Sequence, residues 1–380
     1  MSTKTERLDP WSIEDVEDYD RLIRVFGIER INDNLLRSLP FLNRYMRRRI
    51  VFGHRGLWEI IKAIKENRVY AVMSGIKPTG VFHFGSKITA EQIIYFQQLS
   101  PKAIVFYAVA DIEAWEDNGI PLKESREIAV DNVADLLALG IDYKRLYVYR
   151  QSEEERVLRL SYVFARGLTY NLLEAIYGEK HIGMYMSALV QVADILLPQL
   201  EEFGGPKPTI VPVGVDQDPH IRLTRDIARK YSREYGFILP SSVYHKLQKS
   251  LTGSGKMSKR DPMSYLTLND SSKMVELKIK RAFTGGRETA ELQRKLGGRP
   301  EICVVYQLWL YHVDDDVKVS RVFEECKSGK RICGECKLEL IEEINKFLEK
   351  HKERKEKFRD LARELLERKK YTLESLKNII

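Results

Sequence analysis

An α/β architecture with a parallel sheet, followed by a helical C-terminal domain, is predicted by three features of the 380-residue sequence. From Val69 onward, apolar runs of strand length alternate with helical stretches, as in a sheet built from βαβ units. The runs are apolar along their whole length, which suits strands buried beneath helices. After about Asp261 the strand signal fades, and helical patterns continue to the end.

Taken in order, residues 1–68 carry mixed helical patterns and a basic knot, Arg47, Arg48 and Arg49, and are expected to form an N-terminal helical extension. Residues 69–262 hold the strand candidates VYAVM, AIVFYAVAD, RLYVYR and TIVPVGVD, separated by helices such as ESREIAVDNVADLLALG and DPHIRLTRDIARKYSREYG. Residues 263–380 read as the helical C-terminal domain. No internal repeat or low-complexity linker interrupts this order.

Composition is that of an ordinary globular chain, 43% hydrophobic and 31% charged. No apolar stretch reaches transmembrane length, and MSTKTERLDPW lacks the basic stub and apolar core of a signal peptide. A cytoplasmic protein without a membrane partner is expected. The formal charge of +8 suits a polyanionic partner such as nucleic acid. Near the C-terminus, however, EKHKERKEKFRDLARELLERKK alternates in sign and reads first as a solvated helix face.

Two loops carry phosphate chemistry. SGIKPTGVFHFGS (74–86) lies between a strand and a helix but fits neither the dinucleotide nor the P-loop spacing. Gly75 and Gly80 permit tight backbone, Gly85 allows close approach, and the helix starting at Ser86 offers unpaired amides to an anion. His83 is placed to donate a hydrogen bond to a phosphate oxygen. LTGSGKMSKRDP (251–262) is a glycine- and serine-rich loop carrying Lys256, Lys259 and Arg260. A lysine loop closing over a triphosphate neutralises charge that develops in the transition state.

His-Phe-Gly-Ser at 83–86 with Lys-Met-Ser-Lys at 256–259 resembles the paired signatures of class I aminoacyl-tRNA synthetases, usually His-Ile-Gly-His and Lys-Met-Ser-Lys-Ser. Ser86 stands where the second histidine is usual, and Arg260 where the last serine is. The resemblance sharpens to the tryptophanyl-tRNA synthetases of the archaeal and eukaryotic branch. DPW (9–11), DYDRLIRVFG (18–27), RRRIVFGHRG (47–56), VPVGVDQDPHIRLTRDIA (211–228) and RAFTGGRE (281–288) carry it across almost the whole chain.

That resemblance implies a Rossmann-like parallel-sheet catalytic domain and a helical C-terminal anticodon-binding domain. It implies L-tryptophan, ATP with Mg2+ and tRNA(Trp) as partners, and a homodimer. Catalysis falls to His83, Lys256 and Lys259. The ATP site takes Gly75, Pro78, Thr79, Gly80, His83, Gly85, Ser86, Gly214, Lys256, Met257, Ser258 and Lys259. Val211 to Gly214 become backbone readers of adenine and ribose.

Indole offers one N–H donor and a broad apolar face, so its pocket needs one buried acceptor and apolar walls. Gln191 and Asp194 are polar positions on an otherwise apolar helix, where a carboxylate is costly unless paired. The match to an LxAADILL block makes Asp194 the first candidate for the indole N–H, with Gln191 as the other. Glu113 is the better substrate contact of the pair Asp111 and Glu113, and Gln217 is placed similarly. Asp216 and Asp218 are candidate helix caps. Met73 stands where the eukaryotic branch often has an aromatic indole contact. Tyrosyl-tRNA synthetase is the alternative on the same fold. A catalytically silent nucleotide- or RNA-binding paralogue is the alternative of another class.

All four cysteines, Cys303, Cys326, Cys333 and Cys336, fall in one 34-residue window. Such clustering favours metal over disulfides in a cytosolic chain. Four thiolates can hold zinc or an iron–sulfur cluster, or remain unmetallated. A zinc ribbon usually shows two close pairs, and only one pair is close here. The spacing resembles that of a subset of tryptophanyl-tRNA synthetases with a [4Fe–4S] cluster in the C-terminal domain. That implies a structural cluster near KSGKR (327–331).

Overall fold

A computed structural model describes residues 19–253 and 261–367. The sheet has seven strands: β1 (Glu29–Arg30), β2 (Val51–Arg55), β3 (Tyr70–Ile76), β4 (Ala103–Val109), β5 (Leu146–Arg150), β6 (Thr209–Gly214) and β7 (Ser241–His245). Their order is β1-β2-β7-β6-β3-β4-β5. The five strands from β7 to β5 run parallel, and β2 and β1 extend that sheet antiparallel.

The four apolar runs became β3 to β6, and alternation along each strand feeds two cores. Tyr70, Val72, Val105, Tyr107 and Val148 face one side. There they meet the helices Phe84–Gln98, Leu122–Leu139 and Cys333–Glu367. Ala71, Met73, Phe106, Tyr147 and Tyr149 face the other, against Glu155–Ala165, Ile182–Leu196 and Asp218–Lys230. Burial on both faces is what makes the runs read as continuously apolar.

The segment read as a helical extension holds helices, but it also supplies β1 and β2. Val51–Arg55 pairs with β7, with a register shift between Val51 and Gly53. The basic knot is spent inside the protein. Arg47 and Arg48 each donate to Asp316 at 2.7 Å, Arg48 also donates to the carbonyls of Leu310 and Val313, and Arg49 pairs with Asp33. These contacts tie the N-terminal segment to the C-terminal helices.

The 35-residue helix Cys333–Glu367 packs its C-terminal half on Leu122–Leu139. A buried charge cluster joins them: His351 Nε2 lies 2.7 Å from Asp135 Oδ1, and Lys355 Nζ 2.9 Å from Asp135 Oδ2. Contrary to the reading from composition, one segment, Ile182–Gln199, is long and apolar enough to cross a membrane. It is 78% buried within the protein and serves as a core helix.

Candidate active site

A cleft of about 740 Å³ opens at the carboxyl ends of β3, β4, β6 and β7. From β3 the chain winds outward through β4 to β5, whereas β6, on the other flank of β3, leads to β7. A crevice at such a reversal is where open α/β sheets bind ligands. Gly75 makes the close packing at its floor possible, since a Cβ there would lie 2.3 Å from the Ala108 carbonyl oxygen.

At the phosphate end, His83 is the N-cap of the helix Phe84–Gln98. Its Nδ1 accepts from the Ser86 amide at 3.1 Å, so the ring proton sits on Nε2, which lies 3.1 Å from Ser86 Oγ. The hydroxyl thus occupies the neighbourhood of the missing second imidazole. The helix N-terminus is partly spent: Ser86 N serves His83, and Phe84 N donates to Leu266 O at 2.9 Å. Asn132 Nδ2 holds the loop by donating to Gly80 O at 3.0 Å. On the opposite wall His245 Nε2 lies 3.0 Å from Thr89 Oγ1, and burial lowers the His245 pKa to about 4, leaving the ring neutral.

At the other end, Gln191 and Asp194 project from one face of Ile182–Leu196, three residues apart. Asp194 is buried. Its Oδ1 accepts from the Tyr149 hydroxyl at 2.7 Å and its Oδ2 from Gln151 Nε2 at 2.6 Å. Burial pushes its pKa up to about 7, while these two donors pull the other way. Each carboxylate oxygen has a second lone pair, so a further donor can still be accepted. Gln191 Nε2 donates to Glu113 Oε2, whose other oxygen lies 3.2 Å from Lys77 Nζ.

The sequence candidates Met73, Gly75, His83, Gly85, Ser86, Glu113, Gln191, Asp194, Gly214 and Gln217 line this one cleft. Pro78, Thr79 and Gly80 lie on its loop but do not line it. Lys256, Met257, Ser258, Lys259 and Arg260 lie outside the described residues. Asp111 serves the scaffold, accepting from Ser152 N and Oγ. Asp218 is no helix cap: it pairs with Arg55 and accepts from the Tyr244 hydroxyl, locking β2 to β7. Asp216 lines the cleft and accepts from Gln217 Nε2 at 2.9 Å.

Sequence reasoning missed Tyr149, Gln151 and Lys77. A signal existed for Tyr149. Alternation in RLYVYR sets Tyr147 and Tyr149 on one buried face, and a buried hydroxyl requires a partner.

The four cysteines line a second, small and apolar cavity with Gly286, Gln293 and Tyr306. A Cβ on Gly286 would meet Cys333 Sγ at 2.6 Å, so the backbone there leaves room for sulfur. Cys303 Sγ accepts from Tyr306 N at 3.4 Å, and burial raises the thiol pKa of Cys336 to about 12. Among the described residues, no three Cys, His, Asp or Glu side chains gather as around a single metal ion. The thiols ring the cavity rather than converge on a point. Lys327 and Arg331 of the neighbouring basic stretch are paired with Glu301, Glu325 and Glu339.

Residues 65–349 match the family model of class I tRNA synthetases (W and Y). The chain is 43% identical over 372 residues to the tryptophan–tRNA ligase of Aeropyrum pernix, covering 95% of this chain and 98% of that one. It is 40% identical over 373 residues to that of Methanocaldococcus jannaschii, covering 96% and 100%. The crystal structure of the Aeropyrum pernix tryptophanyl-tRNA synthetase superposes with a TM-score of 0.87 over 94% of this chain and 99% of that one. The Plasmodium falciparum tryptophanyl-tRNA synthetase, 26% identical, does so with 0.84 over 95% and 98%.

Proposed function

The chain belongs to the class I tRNA synthetases for tryptophan and tyrosine, and from that membership we infer the reaction it runs. It is an aminoacyl-tRNA ligase that activates L-tryptophan with ATP to tryptophanyl-adenylate and transfers it to the 3′ end of tRNA(Trp), releasing AMP and diphosphate. The observation that carries this is near-complete alignment, without a large gap in coverage, to ligases of that specificity.

The tryptophan carboxylate attacks the α-phosphorus in line and diphosphate leaves. The terminal ribose hydroxyl of tRNA then attacks the acyl carbon. Neither step needs a side-chain nucleophile, so the cleft works by positioning and by neutralising charge. His83, Lys256 and Lys259 act on the phosphates. Mg2+ carried by ATP supplies further neutralising charge. Gly75, Gly85, Ser86 and Gly214 shape the nucleotide end.

Glu113 takes the ammonium of tryptophan, Asp194 the indole N–H, and Met73 lies against the ring, with Gln191 and Gln217 orienting the substrate. The buried Tyr149 and Gln151 hold Asp194 in place. A satisfied or unsatisfied buried hydrogen bond gives large discrimination, so no editing site is required.

The protein works in the cytoplasm as a homodimer. Tyr162 (75% exposed), Ile182 (76%) and Tyr170 (52%) form an uncovered apolar surface suited to that contact. Cys303, Cys326, Cys333 and Cys336 hold a [4Fe–4S] cluster, which would cross-link the start of the long C-terminal helix to the segments before it. Four thiols ringing a cavity suit a polynuclear group better than one zinc ion, whose sulfurs must all lie about 2.3 Å from a single point. Charging is the direct test. With ATP and Mg2+, the chain should esterify tRNA(Trp) with tryptophan, and failure to do so in folded protein overturns the reading.

A further inference from the structure

Lys77 is the first residue after β3, on the loop that runs to His83. Its Nζ lies 3.2 Å from Glu113 Oε1 and 2.5 Å from Asp117 Oδ2, and the side chain is only one quarter exposed. It lines the same cleft as Glu113, Gln191 and Asp194. Burial works against its charge, but Glu113 and Asp117 outweigh that and raise its pKa, so it enters the reaction as a cation.

Two features single it out. The carboxylate assigned to the substrate ammonium already carries an ammonium, the protein's own, together with the Gln191 amide. An arriving α-amino acid also brings its carboxylate on the carbon next to that ammonium. Among the described residues lining the cleft, the other lysines, Lys246 and Lys249, follow β7 on its far side. Lys77 is the one beside Glu113.

The chemistry needs a cation at this point. The bond that forms joins a carboxylate oxygen to the α-phosphorus, and the bond that breaks leaves its electron pair on diphosphate. Two anions must therefore approach each other, and the carboxylate gives up no proton in doing so. A lysine, a point charge on a flexible stem, can hold a carboxylate and follow it through that approach.

We propose that Lys77 is a substrate-binding residue whose ammonium seats the carboxylate of tryptophan between Glu113 and the phosphate loop. This rests on the reading of Glu113 as the ammonium seat. Tryptamine, which keeps the indole and the ammonium and lacks the carboxylate, separates this role from mere support of Glu113.

The test is equilibrium binding of tryptophan and of tryptamine to the full chain, its Lys77→Met variant and its Lys77→Arg variant. Lys77→Met should weaken tryptophan by about tenfold to a hundredfold, the range for a hydrogen bond to a charged group, and leave tryptamine nearly unchanged. Lys77→Arg should recover part of the loss. Retained tryptamine binding also reports that the variant is folded. Equal weakening of both ligands, or of neither, overturns the proposal and leaves the assignment of Glu113 standing. Wild-type protein that binds tryptamine as tightly as tryptophan has no carboxylate seat at all. Wild-type protein that binds neither ligand overturns the underlying functional reading as well.

Discussion

The Tyr149 hydroxyl donates a 2.7 Å hydrogen bond to Asp194 Oδ1, joining a strand-end tyrosine to a core-helix carboxylate with both side chains buried. The contact explains how a carboxylate survives on an apolar helix: burial raises its pKa to about 7, and Tyr149 and Gln151 keep it from rising further.

The sign of the pH dependence follows. The folded pKa lies above the ordinary aspartate value of about 3.9. The protonated carboxyl is therefore the form that suits the fold. Its contribution to stability is complete below the unfolded value and is lost as pH rises through about 7. Binding has the opposite slope, because an indole N–H donates better to the charged acceptor. KM for tryptophan should fall as pH rises through about 7, and Asp194→Asn should flatten that profile. A slope that survives the substitution removes Asp194 from the role.

His83 serves the helix and the phosphate with one ring, and two substitutions separate the roles. His83→Ala loses the cap on the Ser86 amide and should cost about 0.5–2 kcal/mol in urea unfolding. Asparagine is itself a good cap, so His83→Asn should stay within a few tenths of a kcal/mol of wild type. Its tryptophan-dependent ATP–diphosphate exchange should still drop on the order of a hundredfold. Normal exchange in His83→Asn would make the residue a cap and nothing more.

Asp135 answers both His351 and Lys355 from the long C-terminal helix, and all three are buried. Removing it leaves a buried ammonium without its main counter-charge. Asp135→Ala should lose about 3–5 kcal/mol in denaturant unfolding, and adding Lys355→Met should restore much of it. A cost below about 1 kcal/mol would show that the cluster is solvated.

The cysteine site is decided by analysis of protein purified without oxygen. The cluster reading predicts about four irons and as much acid-labile sulfide per chain, lost in Cys336→Ser. One zinc and no iron would contradict it.

How much of this the sequence could tell depends on which interactions are local. β3 to β6 were legible because burial on both faces leaves continuous apolar runs. SSVYH and VFGHR were not, since each is half polar, and they are strands because β6 and β7 supply their edges. Gln191 and Asp194 stood out as polar breaks in an apolar helix. Lys77 did not, because a lysine in a proline- and glycine-containing loop reads as solvated until Glu113 and Asp117 are placed beside it. The arginine knot misled for the same reason: Asp316 is far away in sequence and adjacent in space.

Amino-acid-dependent ATP–diphosphate exchange, run without tRNA across all twenty amino acids, tests the central claim most directly. It reads the adenylate chemistry and the pocket together. The account predicts exchange with tryptophan and with no other amino acid. Exchange driven by tyrosine would keep the fold and contradict the pocket, and folded protein that exchanges with none would contradict the activity itself.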